Sequence, residues 1–167
     1  MRNPSEMPYD NEKDLNLVIL SYQQKIFALT FYLIGGDRDK AYDIAALSFA
    51  DVIRAKPLFE QKGISLARIA GAAVEKSRAV KTIPFFDDAD FMDFAPEEKE
   101  TLRILRTALQ KLSLDSRALL LLRDQLNLVY KDIALIFKIS EKKVRIQTTQ
   151  ARIQLRKTIE EALSHAG

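Results

Sequence analysis

A chain of 167 residues, 47% of them apolar, is long enough to bury a core and suits one medium domain or two small ones. With five glycines, five prolines and no cysteine, it excludes a disulfide framework and a thiolate metal site. Its wealth of Ala, Leu, Ile, Lys, Glu and Arg points to an all-α fold. The net charge of +3 hides a segregation: residues 101–167 hold 13 Lys/Arg against 6 Asp/Glu, whereas residues 83–100 hold one Lys against seven acids. Such a basic C-terminal half suits a polyanionic partner, an ordinary solvated helical surface being the alternative.

The N-terminal stretch from Met1 to Glu12 is polar, carries Pro4 and Pro8, and contains no apolar run fit for a signal peptide or a membrane span. A cytoplasmic protein without membrane insertion is expected. From Leu15 the apolar residues Val18, Ile19, Tyr22, Ile26, Leu29 and Leu33 follow one face of a helix that stops at Gly35-Gly36. Asp37 caps a second helix with Ala41, Ile44, Ala45, Phe49, Val52 and Ile53 inward, closed by Pro57. After a loop with Gly63, Ser65 caps a third, with Leu66, Ile69, Ala70, Ala73 and Val74 inward, running to about Lys81. Residues 12–82 thus form a three-helix unit.

Residues 83–98 read as a linker, because Pro84 to Pro96 alternates aromatics with acids and shows no helical period. Four phenylalanines are unusual for a free linker, so it is expected to pack on its own chain or in a partner's groove. Residues 99–163 are helical again. Leu102, Leu105, Leu109 and Leu112 share a face, Ser113-Leu-Asp115 breaks the helix, and Arg117 to Leu126 contains the run Ala118-Leu-Leu-Leu-Leu122, apolar almost all round, as a central helix would be. Tyr130 to Phe137, a short turn Lys138-Ile-Ser140, and a longer helix from Glu141 with Val144, Ala151, Leu155 and Ile159 inward then outline a helix-turn-helix.

In such a unit the first helix packs across the second, the turn holds an apolar plug, and the second helix offers polar side chains to the major groove. Here Ile133, Ala134 and Phe137 supply the packing face, Ile139 the plug and Ser140 the cap. Lys142, Lys143, Arg145, Gln147, Thr148, Gln150, Arg152 and Arg156 are left for the other faces. Lys and Arg neutralise phosphates, while Gln and Arg can pair with adenine or guanine edges. A plain helical hairpin with a solvated charged face would share this pattern.

The run Leu105-Arg-Thr-Ala-Leu-Gln-Lys-Leu112, with Arg117, Leu121-Leu-Arg123, Tyr130-Lys-Asp-Ile-Ala134, Ile139-Ser-Glu141, Val144-Arg145, Ala151-Arg152 and Leu155-Arg156, resembles the promoter-reading domain of extracytoplasmic-function sigma factors. Gly36-Asp37, Ala41, Asp43-Ile44, Phe49 and Ala67-Arg-Ile-Ala70 are similar to the same family's N-terminal domain. The resemblance implies a protein that binds bacterial core RNA polymerase and promoter DNA, uses no cofactor, and is held by an anti-sigma protein. It places Asp43, Ile44 and Phe49 on or behind the polymerase-binding helix, and turns Arg68, Lys76 and Arg78 towards promoter DNA. Departures from the family pattern fall at Ala46, Ala72, Lys142-Lys143, Gln147 and Gln150, and tryptophan is absent. They imply a changed promoter sequence, or a sigma-like regulator or interaction module that binds polymerase, DNA or a protein without initiating transcription. A stand-alone repressor or activator would need no such N-terminal half.

An enzyme is not expected. The single histidine, His165, stands at the very end, in a tail expected to fray. Gly35-Gly36 is followed by acids that would repel a phosphate, and Glu97-Glu98 sit where nothing perturbs them.

Overall fold

The computed structural model describes residues 6–7, 12–55, 64–81 and 93–165. The described residues are all-α apart from one short ladder, in which β1 (Glu6–Met7) pairs antiparallel with β2 (Ile64–Ser65), Glu6 opposite Ser65 and Met7 opposite Ile64. Pro57, Gly63 and, in the expected linker, residues 83–92 lie outside the described residues.

Helix α1 (Glu12–Ile34) buries Val18, Ile26, Leu29 and Leu33, the stripe its periodicity predicts. It ends where Gly35 and Gly36 take φ of 93° and 99°, a region costly for a residue with a Cβ, and the Gly36 N–H returns to the Phe31 carbonyl at 2.9 Å. By length and hydropathy, Leu15–Ile34 could cross a membrane, but Ile26, Leu29 and Leu33 are fully buried in the protein's own core. We read it as a core helix. The Asp37 carboxylate accepts the Lys40 N–H at 3.1 Å and opens α2 (Arg38–Arg54), and that bond holds the carboxyl below its usual range. Ser65 does the same for α3 (Leu66–Arg78), accepting the Arg68 N–H at 3.3 Å.

Helix α4 (Pro96–Lys111) begins two residues before the expected end of the linker. Proline at the first helical position forfeits no hydrogen bond, and the Glu98 carboxylate accepts the Ala95 N–H at 2.9 Å, so Glu97 and Glu98 are a helix start rather than linker. Ser113 caps α5 (Leu114–Leu120), which widens into a π-helical turn over Leu121–Gln125. The expected central helix from Arg117 to Leu126 is therefore one turn longer at its start and irregular at its end. Helices α6 (Tyr130–Phe137) and α7 (Glu141–His165) complete the chain. His165, expected in a frayed tail, closes the last turn of α7.

The two helical groups pack on each other. One core cluster runs from Val18, Leu29 and Ile69 through Leu119 and Leu122 to Ile133 and Val144, so both halves share it. Polar side chains tie the seam. Gln110 Nε2 donates to the Tyr32 carbonyl at 2.9 Å, and the guanidinium of Arg117 donates to the Leu33 carbonyl at 2.5 Å, satisfying the last carbonyls of α1 at its buried end with groups from α4 and α5. Arg78 reaches Asp115 at 2.6 Å. Helices α3 and α6 meet at Gly71, where an added Cβ would stand 3.3 Å from Ile136. A bulky side chain there has nowhere to go. Gly71→Leu is expected to push α6 off α3 and enlarge the radius of gyration measured by small-angle X-ray scattering; an unchanged radius would contradict this seam.

Candidate nucleic-acid interface

The turn between α6 and α7 is built by local rules. Lys138 takes φ 55° and ends α6, the Ile139 N–H returns to the Ala134 carbonyl at 3.1 Å, and Ser140 Oγ accepts the Lys143 N–H at 3.2 Å to start α7. Ile133 and Val144 are fully buried between the helices, with Ala134 and Ala151 close to it, and Ile139 packs on the core from the turn. This geometry fixes which side of α7 faces outward. Lys142, Lys143, Arg145, Gln150, Arg152 and Arg156 are exposed, and Gln147 is half-buried at the margin.

Thr148 is the exception among the expected contact residues. It is fully buried, because it follows Val144 by four residues and precedes Ala151 by three, which puts it on the inward stripe. Its hydroxyl has no hydrogen-bond partner among the described residues. It cannot touch DNA. Replacing an unsatisfied buried hydroxyl with a methyl removes a desolvation penalty, so Thr148→Val is expected to stabilise the fold by about 1 kcal/mol with DNA affinity unchanged. Chemical denaturation checks the first part, and a loss of affinity would return Thr148 to the interface.

Two of the exposed arginines are braced from below. Arg145 lies over the Tyr130 ring at 4.3 Å from its centroid, and Arg123 approaches the same ring at 4.6 Å while donating to the Leu128 carbonyl. Arg152 grips Asp124 through Nε at 3.0 Å and Nη2 at 2.5 Å, a bidentate pair that raises its already high pKa. Nothing in the sequence marks Tyr130 and Asp124 as supports for these arginines. Tyr130 stood inside the resemblance without a stated role, and Asp124 pairs with a residue a helix away. Arg152 is accordingly a residue already engaged, with less freedom to reach a phosphate than Lys142 or Lys143.

The α3 cations do not gather on one surface. Lys76 turns to α2 and pairs with Asp51 at 2.5 Å, an interaction that holds the Asp51 carboxyl below its usual range. Arg78 turns the other way, to Glu75 at 3.3 Å and to Asp115 of α5. The two are two positions apart on a helix, hence on different faces. Arg68 is half-buried at the start of α3. A single DNA-facing row of Arg68, Lys76 and Arg78 is therefore not formed. On α2, Ile44 and Phe49 are buried core residues, whereas Asp43 is exposed beside Tyr42 and Leu47, which are 68% and 50% exposed. The outward face of α2 is thus Tyr42, Asp43, Ala46 and Leu47, with Ile44 and Phe49 behind it. Tyr42 and Leu47 escaped the sequence reading, although they alternate with the buried stripe.

Residues 102–155, which contain α6, the turn and the first part of α7, match the family sigma-70, region 4. No curated protein matches the chain. Two solved structures share its fold: the sigma factor RpoE in complex with the anti-sigma factor NepR from Bartonella quintana, at TM-score 0.69 and 20% identity over 89% of this chain and 98% of that one; and CnrH in complex with the cytosolic domain of CnrY, at TM-score 0.71 and 16% identity over 90% of each. The resemblance is thereby borne out as a likeness: residues 102–155 match sigma-70, region 4, in a chain that shares its fold with a solved sigma factor.

Proposed function

We propose that the protein is a cytoplasmic sigma factor that directs bacterial core RNA polymerase to specific promoters. Helix α7 reads the farther promoter element, and the α1–α3 group, residues 12–82, binds polymerase through the exposed face of α2 around Asp43. The observation that carries this reading is the outward face of α7, where Lys142, Lys143, Arg145 and Gln150 stand exposed on the second helix of an intact helix-turn-helix. An anti-sigma protein is the partner proposed for the assembled fold, since one similar structure is a sigma factor bound to an anti-sigma factor.

A second reading has its own observation. Lys76 and Arg78 are committed to acids, so α3 offers DNA less free positive charge than its sequence suggests. A sigma-like regulator that binds polymerase without opening a promoter would need none. Titrating labelled protein with core polymerase, and then the complex with promoter-sized duplexes, tests the proposal. Saturable polymerase binding with sequence-dependent DNA binding is expected. Polymerase binding without sequence preference would favour the regulator, and no polymerase binding would overturn both.

A further inference from the structure

The outward face of α7 has an apolar side chain at its centre. Ile146 is 49% exposed and lies among exposed Lys142, Lys143, Thr149 and Gln150, each three or four positions away and therefore its neighbour on the helix surface. Two positions after the fully buried Val144, it faces nearly opposite the core. A single exposed isoleucine is ordinary on a protein surface. At the centre of a face that enters a groove, it must meet the groove floor.

That floor consists of hydrogen-bond donors and acceptors, apart from the C5-methyl group of thymine. An isoleucine pressed on a donor or an acceptor would strip its water and return no bond. Pressed on a methyl, it loses nothing. The hydroxyl of the adjacent Thr149 already donates to the Arg145 carbonyl at 3.0 Å, so it leaves the apolar contact undisturbed. The 25 residues of α7 span roughly 37 Å, about three times the width of the major groove. Only the first turns fit inside. Ile153, 64% exposed on the same face, stands about 10 Å further along and outside the groove.

We propose that Ile146 is a specificity-determining residue that packs on a thymine methyl group, selecting an A·T pair at one position of the element read by α7. This deepens the DNA-reading role of α7 and rests on it.

The test starts from duplexes enriched out of a randomised pool by the full-length protein. Each thymine of the enriched site is then replaced in turn by uracil, which pairs identically and lacks the methyl. At one position the wild-type protein is expected to bind uracil about threefold to fivefold more weakly, the worth of one buried methyl. Ile146→Ala should bind thymine and uracil there equally, and Ile153→Ala should discriminate like the wild type. Because Ile146 is exposed, its alanine variant should keep the wild-type melting temperature. Equal binding of thymine and uracil by the wild type at every position would overturn the inference, as would discrimination that survives Ile146→Ala or is lost in Ile153→Ala. If no sequence is enriched, or if binding ignores Lys143→Ala with Arg145→Ala, the DNA-reading role itself fails and the inference with it.

Discussion

Arg117→Ala is expected to destabilise the protein by about 3 kcal/mol, read as a lower midpoint in urea unfolding with little change in slope. Arg117 is 3% exposed and donates to the Leu33 carbonyl at the end of α1, to the Leu112 carbonyl at 3.3 Å and to Gln110 Oε1. Truncation strands these acceptors inside the seam and leaves a void where the long stem packed. Relief of desolvation offsets part of this, because burial pushes the guanidinium pKa down to about 10. At neutral pH the group is nevertheless charged, and its charge suits the negative end of α1. The loss should therefore be the same at pH 6 and pH 8. Arg117→Met, which keeps most of the stem, should recover part of the stability and none of the hydrogen bonds. A shift in Arg117→Ala below about 1 kcal/mol would mean that the two helical groups do not depend on this seam.

The second large effect concerns binding. Lys143 and Arg145 are exposed on the first turns of α7, and Arg145 is held over Tyr130 rather than free to wander. If both reach phosphates, Lys143→Ala with Arg145→Ala should reduce the slope of log affinity against log salt by about two and weaken binding by roughly tenfold to a hundredfold at low salt. Neither side chain supports the core, so the melting temperature should hold. Equal slopes for wild type and double variant would take α7 out of the contact.

Much of this architecture was legible because local chemistry sets it. Gly35-Gly36, Asp37, Ser65, Ser113 and Ser140 each stop or cap a helix where the sequence puts them, and the 3.6-residue period named most of the buried stripes. Ile139 and Ala134 gave the helix-turn-helix away. The misses have a common cause in long-range packing. Thr148 lies on the inward stripe by period, but its hydroxyl argued for the surface, and the period wins because Val144 and Ala151 fix the face. Arg117 looks in sequence like one more helical cation, and only the approach of α1 makes it a cap for foreign carbonyls. Likewise Arg152, Lys76 and Arg78 are cations whose partners come from other helices, so their freedom could not be judged from spacing. Pro96 ends a stretch of linker-like composition, yet it is the first residue of α4. The π-turn at Leu121–Gln125 adds one residue to a helical ring and leaves no mark in composition.

The most direct test of sigma activity is run-off transcription from a promoter library, with bacterial core polymerase and the purified protein. Specific transcripts sharing one motif, lost with Lys143→Ala and Arg145→Ala together, are expected. Polymerase bound without any specific transcript would contradict promoter-directing activity.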